Sequence, residues 1–292
     1  MFLQVLGTVF PIFAIVTLGF LYARRHRPDM AAANRLNLEV FTPALIFSVL
    51  SGRDFQLAEY HALALGGTLV VLGSGLLAWP VARLLGYPVR TFVPPMMFTN
   101  SGNMGLPLAY FAFGEAALPA AMVLFLVENL LHFTVGNAML EGRIHPLVLL
   151  RMPMLQATVA GLALSLLDVM LPKPLADAVA LLGQVSIPLM LFALGVRMTG
   201  IDLRDWRIGA AGALLCPASG ILVAWLAGRL LGIEGTQLAQ LAVFGALPPA
   251  VLNYMLAEQF DQQPRQVASI VLLGTLASAV VIPLTLAAVL PV

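Results

Sequence analysis

Long apolar blocks separated by short, arginine-bearing connections dominate the pattern of this chain. Crossing ~30 Å of hydrocarbon takes about 20 apolar residues in a helix. Ten blocks meet that need, at roughly 4–22, 34–51, 61–83, 91–113, 117–140, 153–170, 176–197, 208–230, 238–260 and 266–290. The second and sixth are short or polar-edged, so their limits are soft. The connections leave no room for a soluble domain. The pattern predicts an all-α membrane protein with ten transmembrane helices.

Composition agrees with that reading. Of the 292 residues, 60% are hydrophobic and 10% charged, with a mean hydropathy of +0.95; soluble domains carry about 25% charged residues. A net charge of +1 says nothing about nucleic acid, and no basic block with interleaved aromatics exists, so no nucleic-acid partner is expected. The single cysteine, Cys216, excludes an intrachain disulfide and a cysteine-cluster metal site. The opening stretch MFLQVLGTVFPIFAIVTLGFLYARR has no basic residue ahead of its apolar run and a basic cluster behind it. It reads as a first spanning helix with its N-terminus outside, not as a secretory signal. In that orientation Arg24, Arg25, Arg27, Arg35, Arg83, Arg90, Arg143, Arg151, Arg197, Arg204, Arg207 and Arg265 fall inside. Only Arg53, Lys173 and Arg229 fall outside, as the positive-inside rule requires. With ten helices both termini are then outside.

The two halves resemble each other. AWPVARLLG (78–86) matches AWLAGRLLG (224–232) at an offset of 146, which sets Phe98 against Phe244 and Glu115 against Asp261. EVFTPALIF (39–47) matches QVSIPLMLF (184–192) at 145, and Pro11 and Gly19 match Pro153 and Gly161 at 142. A slowly drifting offset is what a duplication leaves. Residues 1–140 then form a first five-helix repeat and 141–292 a second. Five is odd, so the second is inverted, which is the architecture of secondary transporters.

Within the fourth predicted helix, TNSGNMGLPLAYF (99–111) concentrates Asn100, Ser101, Gly102, Asn103, Gly105 and Pro107. A proline in a helix interior costs about 3 kcal/mol and each glycine about 1 kcal/mol, so helix 4 is predicted to break near Gly102. The ninth contains ALPPAVLNY (246–254), with Pro248 and Pro249 at its midpoint and Asn253 beyond. In the 146 register Asn103 faces Pro249 and Pro107 faces Asn253. Broken backbone at membrane depth survives only when buried in protein or lining a cavity. Paired interrupted helices in the two halves point to a transporter's binding site.

NSGNMGLP and LPPAVLNY, in a duplicated ten-helix chain, resemble the auxin efflux carrier family, and specifically its short bacterial members. The resemblance covers the whole chain. It implies a fold related to bile acid–sodium symporters, with broken helices 4 and 9 crossing. Helices 1, 2, 6 and 7 would form a scaffold, and helices 3–5 and 8–10 a moving transport domain. It further implies a homodimer in the bacterial inner membrane and a small organic carboxylate as substrate.

No Lys or Arg lies in a predicted core segment. A carboxylate would therefore be held by half-helix N-termini and by the amides of Asn100, Asn103 and Asn253. Ser101, Gly105, Pro107, Pro248 and Pro249 complete the expected substrate site. Glu128 and His132 lie four apart on helix 5, beside Asn129. They read either as a site for a coupled proton or sodium ion or as a hydrogen-bonded pair tying helices together. Glu39 aligns with Gln184, each four residues before a proline, and is a second coupling candidate. No cofactor is expected. His26, His61 and His145 read as loop residues, and Trp79 and Trp225 as interface anchors.

Three rival classes remain. An enzyme lacks any H-E-x-x-H or G-x-S-x-G signature. A receptor has no domain through which to signal. An anion channel, or a potential-driven uniporter without ion coupling, shares the predicted architecture and differs in its flux kinetics.

Overall fold

The computed structural model describes residues 2–52, 55–142, 151–199 and 204–290. Arg53, Arg143 and His145 lie outside the described residues. The described residues are all-helical apart from one isolated bridge between two extended segments. The helices are α1 (Phe2–His26), α2 (31–50), α3 (His61–Leu84), α4 (Val89–Met97), α5 (101–113), α6 (118–141) and α7 (Pro153–Leu166). They continue with α8 (Lys173–Gln184), α9 (Ser186–Arg197), α10 (Trp206–Leu231), α11 (Gly235–Ala246), α12 (Val251–Gln259) and α13 (Pro264–Val289). Six helical stretches among the described residues are long and apolar enough to cross a membrane: Val5–His26, Ala58–Leu84, Glu115–Glu141, Lys173–Arg197, Trp206–Leu231 and Pro264–Val289. This is an integral, multi-pass membrane protein.

Three helices carry a wide π-turn. It falls at Asn37–Phe41 in α2, at Ser101–Gly105 opening α5, and at His132–Gly136 in α6. The first contains Glu39 and the other two flank the interrupted region. Such turns insert one residue into the helical ladder and re-aim the side chains that follow.

The helices pack into two groups. In one, α1 lies along α9, and α2 lies between α7 and α8. In the other, α10 packs on α3, α11 and α13, while α3 contacts α4 and α6. The groups meet where α5 touches α1 and α9. Small residues set the α1–α9 spacing: a Cβ on Gly195 would collide with the Val16 carbonyl, and one on Gly19 with the Phe192 carbonyl. Without a hydrophobic drive between helices in lipid, such close backbone packing supplies the association.

The matched AWPVARLLG and AWLAGRLLG segments end α3 and α10 alike. Arg83 lies 5.5 Å over the Trp79 ring, and Arg229 lies 4.3 Å over the Trp225 ring. Both tryptophans are exposed, as an anchoring role at a membrane interface requires.

Gly195→Ala is expected to force α1 and α9 apart and cost about 1–3 kcal/mol through overpacking. Gly7→Ala, with nothing within 4 Å of its added methyl, should be neutral or stabilising by up to about 1 kcal/mol. Melting temperatures of the purified variants in detergent micelles check both.

Candidate functional site

The second interruption lies where the sequence puts it. A residue before proline is driven out of the helical region, and Leu247 before Pro248 is extended (φ −63°, ψ 146°). The extended stretch runs to Ala250 (φ −65°, ψ 142°), after which α12 begins.

The first interruption is displaced from its expected place. α4 ends at Met97 and the chain is extended at Phe98 (φ −104°, ψ 105°). Gly102 and Gly105 are not in the break but in the π-turn that opens α5, and Pro107 is the second residue of the helix Leu106–Phe113. A proline near a helix start loses little, because the amide it lacks has little to bond there. In the widened turn the amides of Met104 and Gly105 both donate to the Asn100 carbonyl, at 3.1 and 3.0 Å. The glycines and proline thus shape the turn after the break.

The two interruptions meet. Thr99 and Pro249 form an antiparallel bridge. The Asn100 amide donates to the Pro248 carbonyl (2.7 Å) and the Ala250 amide to the Phe98 carbonyl (2.9 Å). Asn253 Nδ2 also donates to Phe98 O, at 2.8 Å, and to Ala250 O, at 3.0 Å. One asparagine side chain thereby ties the start of α12 to the end of α4. Pro249 is buried and lies over Gly274 of α13, where a Cβ would strike its ring.

Counted from the two breaks, the spacing between the halves differs from the 146 offset. α5 begins at Ser101 and α12 at Val251, so Asn103 corresponds to Asn253 and not to Pro249. Each is the third residue after its N-cap. The 146 offset holds through α3 and α10 and slips afterwards, because α4 has 9 residues and α11 has 12.

Around this junction the buried polar groups are Thr99, Asn100, Ser101, Glu128, His132 and Asn253. Thr99 Oγ1 donates to Glu128 Oε2 at 3.3 Å, and the Ser101 hydroxyl also faces that carboxyl. Glu128 is 2% exposed and forms no ion pair among the described residues. Glu128 and His132 are not bonded to each other. The His132 ring stacks on Phe98, with centroids 4.1 Å apart and planes within 6°, and its other neighbour is the Asn253 amide. Two side-chain atoms in the cluster, Asn100 Nδ2 and Asn253 Oδ1, are buried without a hydrogen-bond partner. Asn103 is half-buried, and its side chain forms no hydrogen bond among the described residues.

Four half-helix ends converge here: the C-termini of α4 and α11 and the N-termini of α5 and α12. The N-termini favour anions and the C-termini cations. A largely apolar cavity of about 20 Å³ is lined from both interruptions by Ser101, Gly105 and Leu247, with Ala109, Leu124 and Gln240 among its other walls. That is room for about one water molecule, so the junction is closed to anything larger in this conformation.

The structure separates two other candidates from this cluster. Glu39 is exposed and pairs with Arg35 at 2.9 Å, one turn away on the same helix. Gln184 is exposed at the end of α8. Neither joins the junction, because both face outward from the group formed by α1, α2 and α7–α9. Asn129 bonds the Phe125 carbonyl (2.8 Å) and borders a separate, apolar cavity of about 250 Å³ with Leu50, Phe55, Met154 and Leu162. His26 and His61 are exposed.

Sequence reasoning missed three participants. The Thr99 hydroxyl is too ordinary in a membrane helix to stand out. Cys216 Sγ lies 3.6 Å from the Leu247 carbonyl, a contact that only folding reveals. Gln240 did carry a signal, as an uncharged polar residue in an apolar block. It stood near the predicted edge of that block at 238, whereas α11 starts at Gly235 and places it deeper.

Comparison with known proteins bears on what this junction serves. Residues 143–286 match the family model described as "Membrane transport protein". The chain is 28% identical to a protein of Rhizobium meliloti (strain 1021) named "Putative malonate transporter", over 94% of this chain and 92% of that one. It is 25% identical to an "Uncharacterized transporter" of Methanothermobacter thermautotrophicus (strain Delta H), over 95% and 96%.

Asn253→Ala removes two hydrogen bonds at the junction and should lower stability by about 1–3 kcal/mol. Asn103→Ala removes none and should stay within about 0.5 kcal/mol of the parent. Thermal unfolding in micelles compares them, and equal losses would contradict the geometry.

Proposed function

We propose that the chain is a membrane transporter of the auxin-efflux-carrier type, not an enzyme, and that it carries a small organic carboxylate by alternating access. The observation that carries this reading is the direct pairing of the two interrupted segments. It gathers two half-helix N-termini and the unpaired Asn100 amide at one place, with Asn103 in the turn that follows. Aligned N–H groups at such ends attract negative charge without a fixed cation, and a site without Lys or Arg releases its ligand readily. The relative named for malonate supports this substrate class.

In this reading the ten helical spans form two inverted repeats, with α4–α5 and α11–α12 as the broken, crossing helices 4 and 9. The group of α3–α6 and α10–α13 moves against a scaffold of α1, α2 and α7–α9. The junction is the occluded form of the site, and the substrate enters when the groups shift. The protein works as a homodimer in the bacterial inner membrane, with both termini outside.

Glu128 supplies the coupling. An ionised carboxyl buried without a cationic partner is costly, and a bound carboxylate beside it adds a second negative charge. A co-transported proton or cation at Glu128 offsets that charge. Glu39 and Gln184 have no part in this step.

In proteoliposomes, malonate counterflow is expected to be saturable and accelerated by substrate on the opposite side. Asn103→Ala should raise KM by about tenfold, the equivalent of one lost hydrogen bond in a low-dielectric site. Asn137→Ala, near the end of α6, should change it far less. Equal effects would count against a site at the junction, and unsaturable flux would make the protein a channel.

Glu128→Gln keeps shape and hydrogen bonding but cannot ionise. It is expected to exchange substrate while losing any response to a pH or sodium gradient, whereas Glu39→Gln keeps that response. Parent flux indifferent to both gradients would make the protein a potential-driven uniporter.

A further inference from the structure

The apolar cavity of about 250 Å³ beside Asn129 has no part in the junction. Its walls come from both helix groups. Leu50 of α2 and Met154 and Leu162 of α7 line it from one group. Ala64 of α3 and several α6 side chains between Val123 and Phe133 line it from the other. Apart from Asn129 and Thr158, every lining residue is apolar. Those two already bond carbonyls on their own helices: Asn129 Nδ2 donates to Phe125 O at 2.8 Å, and Thr158 Oγ1 to Met154 O at 2.7 Å. An enclosed water needs two to four polar partners, and this lining does not supply them.

The space exceeds the apolar cavity of about 150 Å³ that, engineered into a protein core, stays dry and binds benzene. It also reaches the molecular surface. Leu130 both lines it and is 49% exposed, near the midpoint of the span Glu115–Glu141. At that depth the surrounding medium is lipid hydrocarbon. Arg151 is exposed and directly precedes Met152 of the lining. It sets a cation beside one end of the cavity, where it suits the phosphate of a lipid.

We infer that this cavity is a binding site for one acyl chain of a phospholipid, taken from the surrounding bilayer. An alkyl chain supplies the dispersion contacts that an empty apolar void forfeits, and it demands no hydrogen bond. Because the walls belong to both helix groups, the chain sits between them and packs on each. It also lies one side chain away from the junction. The Phe125 ring lines the cavity, and its other contact is Gly102, where a Cβ would fall 2.9 Å from Phe125 Cε2. Phe125 thus separates the acyl chain from the π-turn that opens α5. The site stands independently of the carrier reading.

The test is photolabelling of the full-length protein in nanodiscs of phosphatidylcholine that carries a diazirine midway along one acyl chain. Labelled residues are mapped by peptide mass spectrometry. Label is expected on Phe125 and Met154 of the cavity wall, although Phe125 is only 6% exposed. It is also expected on Leu76, which at 72% exposed reports the surrounding lipid layer. Ala64→Phe fills the cavity from α3. It should lower the Phe125 label at least about tenfold, equivalent to about 1.4 kcal/mol of binding, while Leu76 is labelled as before. Leu155→Phe should do the same from α7. Leu84→Phe, on an exposed position of α3, should change neither label. If one filling variant does not fold, the other decides, and if neither folds, the parent's Phe125 and Met154 labels decide. Label on Leu76 without label on Phe125 or Met154 would leave the cavity empty or covered by another chain, and overturn the inference. A Phe125 label undiminished in the folded filling variants would overturn it as well.

Discussion

Backbone hydrogen bonding in the absence of water is the constraint on which the rest of this structure depends. A helix interrupted inside a membrane leaves amides and carbonyls that lipid cannot satisfy. Here two interruptions answer each other. The Asn100 amide finds Pro248 O, the Ala250 amide finds Phe98 O, and Asn253 adds a second donor to Phe98 O. Each break would be untenable alone. Their pairing makes both tolerable and fixes how α4–α5 and α11–α12 sit against each other.

That pairing dictates the packing around it. Extended segments bring backbone close to neighbouring helices, and the neighbours give way by lacking side chains. Gly274 leaves room for Pro249, Gly105 for Leu247, and Gly136 for the stacked rings of Phe98 and His132. The π-turns at Ser101–Gly105 and His132–Gly136 fall on either side of the junction. Ser101 opens the first and His132 the second, and both side chains are buried beside the junction. The polar groups gathered there are nearly all buried, yet Asn100, Gln240 and Asn253 each keep an unmet atom. Unmet buried atoms are rare in folded proteins, and the proposed site gives those at the junction a role.

Charge balance then links the fold to transport. The junction offers partial positive charge from two helix N-termini, partial negative charge from two C-termini, and one full carboxyl in Glu128. An anion and a cation bound together suit that set better than either alone. On the proposed reading, this is why a carrier of carboxylates needs no lysine or arginine in its core.

The sequence by itself determined the membrane class, because a mean hydropathy of +0.95 admits no water-soluble core of this size. It also located the helices to within a few residues, since apolar block lengths are set by the bilayer. The break after Ala246 was legible because proline acts locally, through its own ring and its missing amide. The break in the fourth helix was legible only to within a few residues, near Gly102, because no residue at Phe98–Asn100 itself forbids a helix. Tertiary structure decided it, through bonds to a segment about 150 positions away. The same division runs through the site. Asn100, Asn103 and Asn253 stood out as polar residues in apolar surroundings. Whether Glu128 turns to Thr99 or to His132, whether Glu39 faces a cavity or the surface, and that Gln240 borders the junction were settled by packing. Helical spacing says which residues share a face, and only the neighbouring helices say what that face meets.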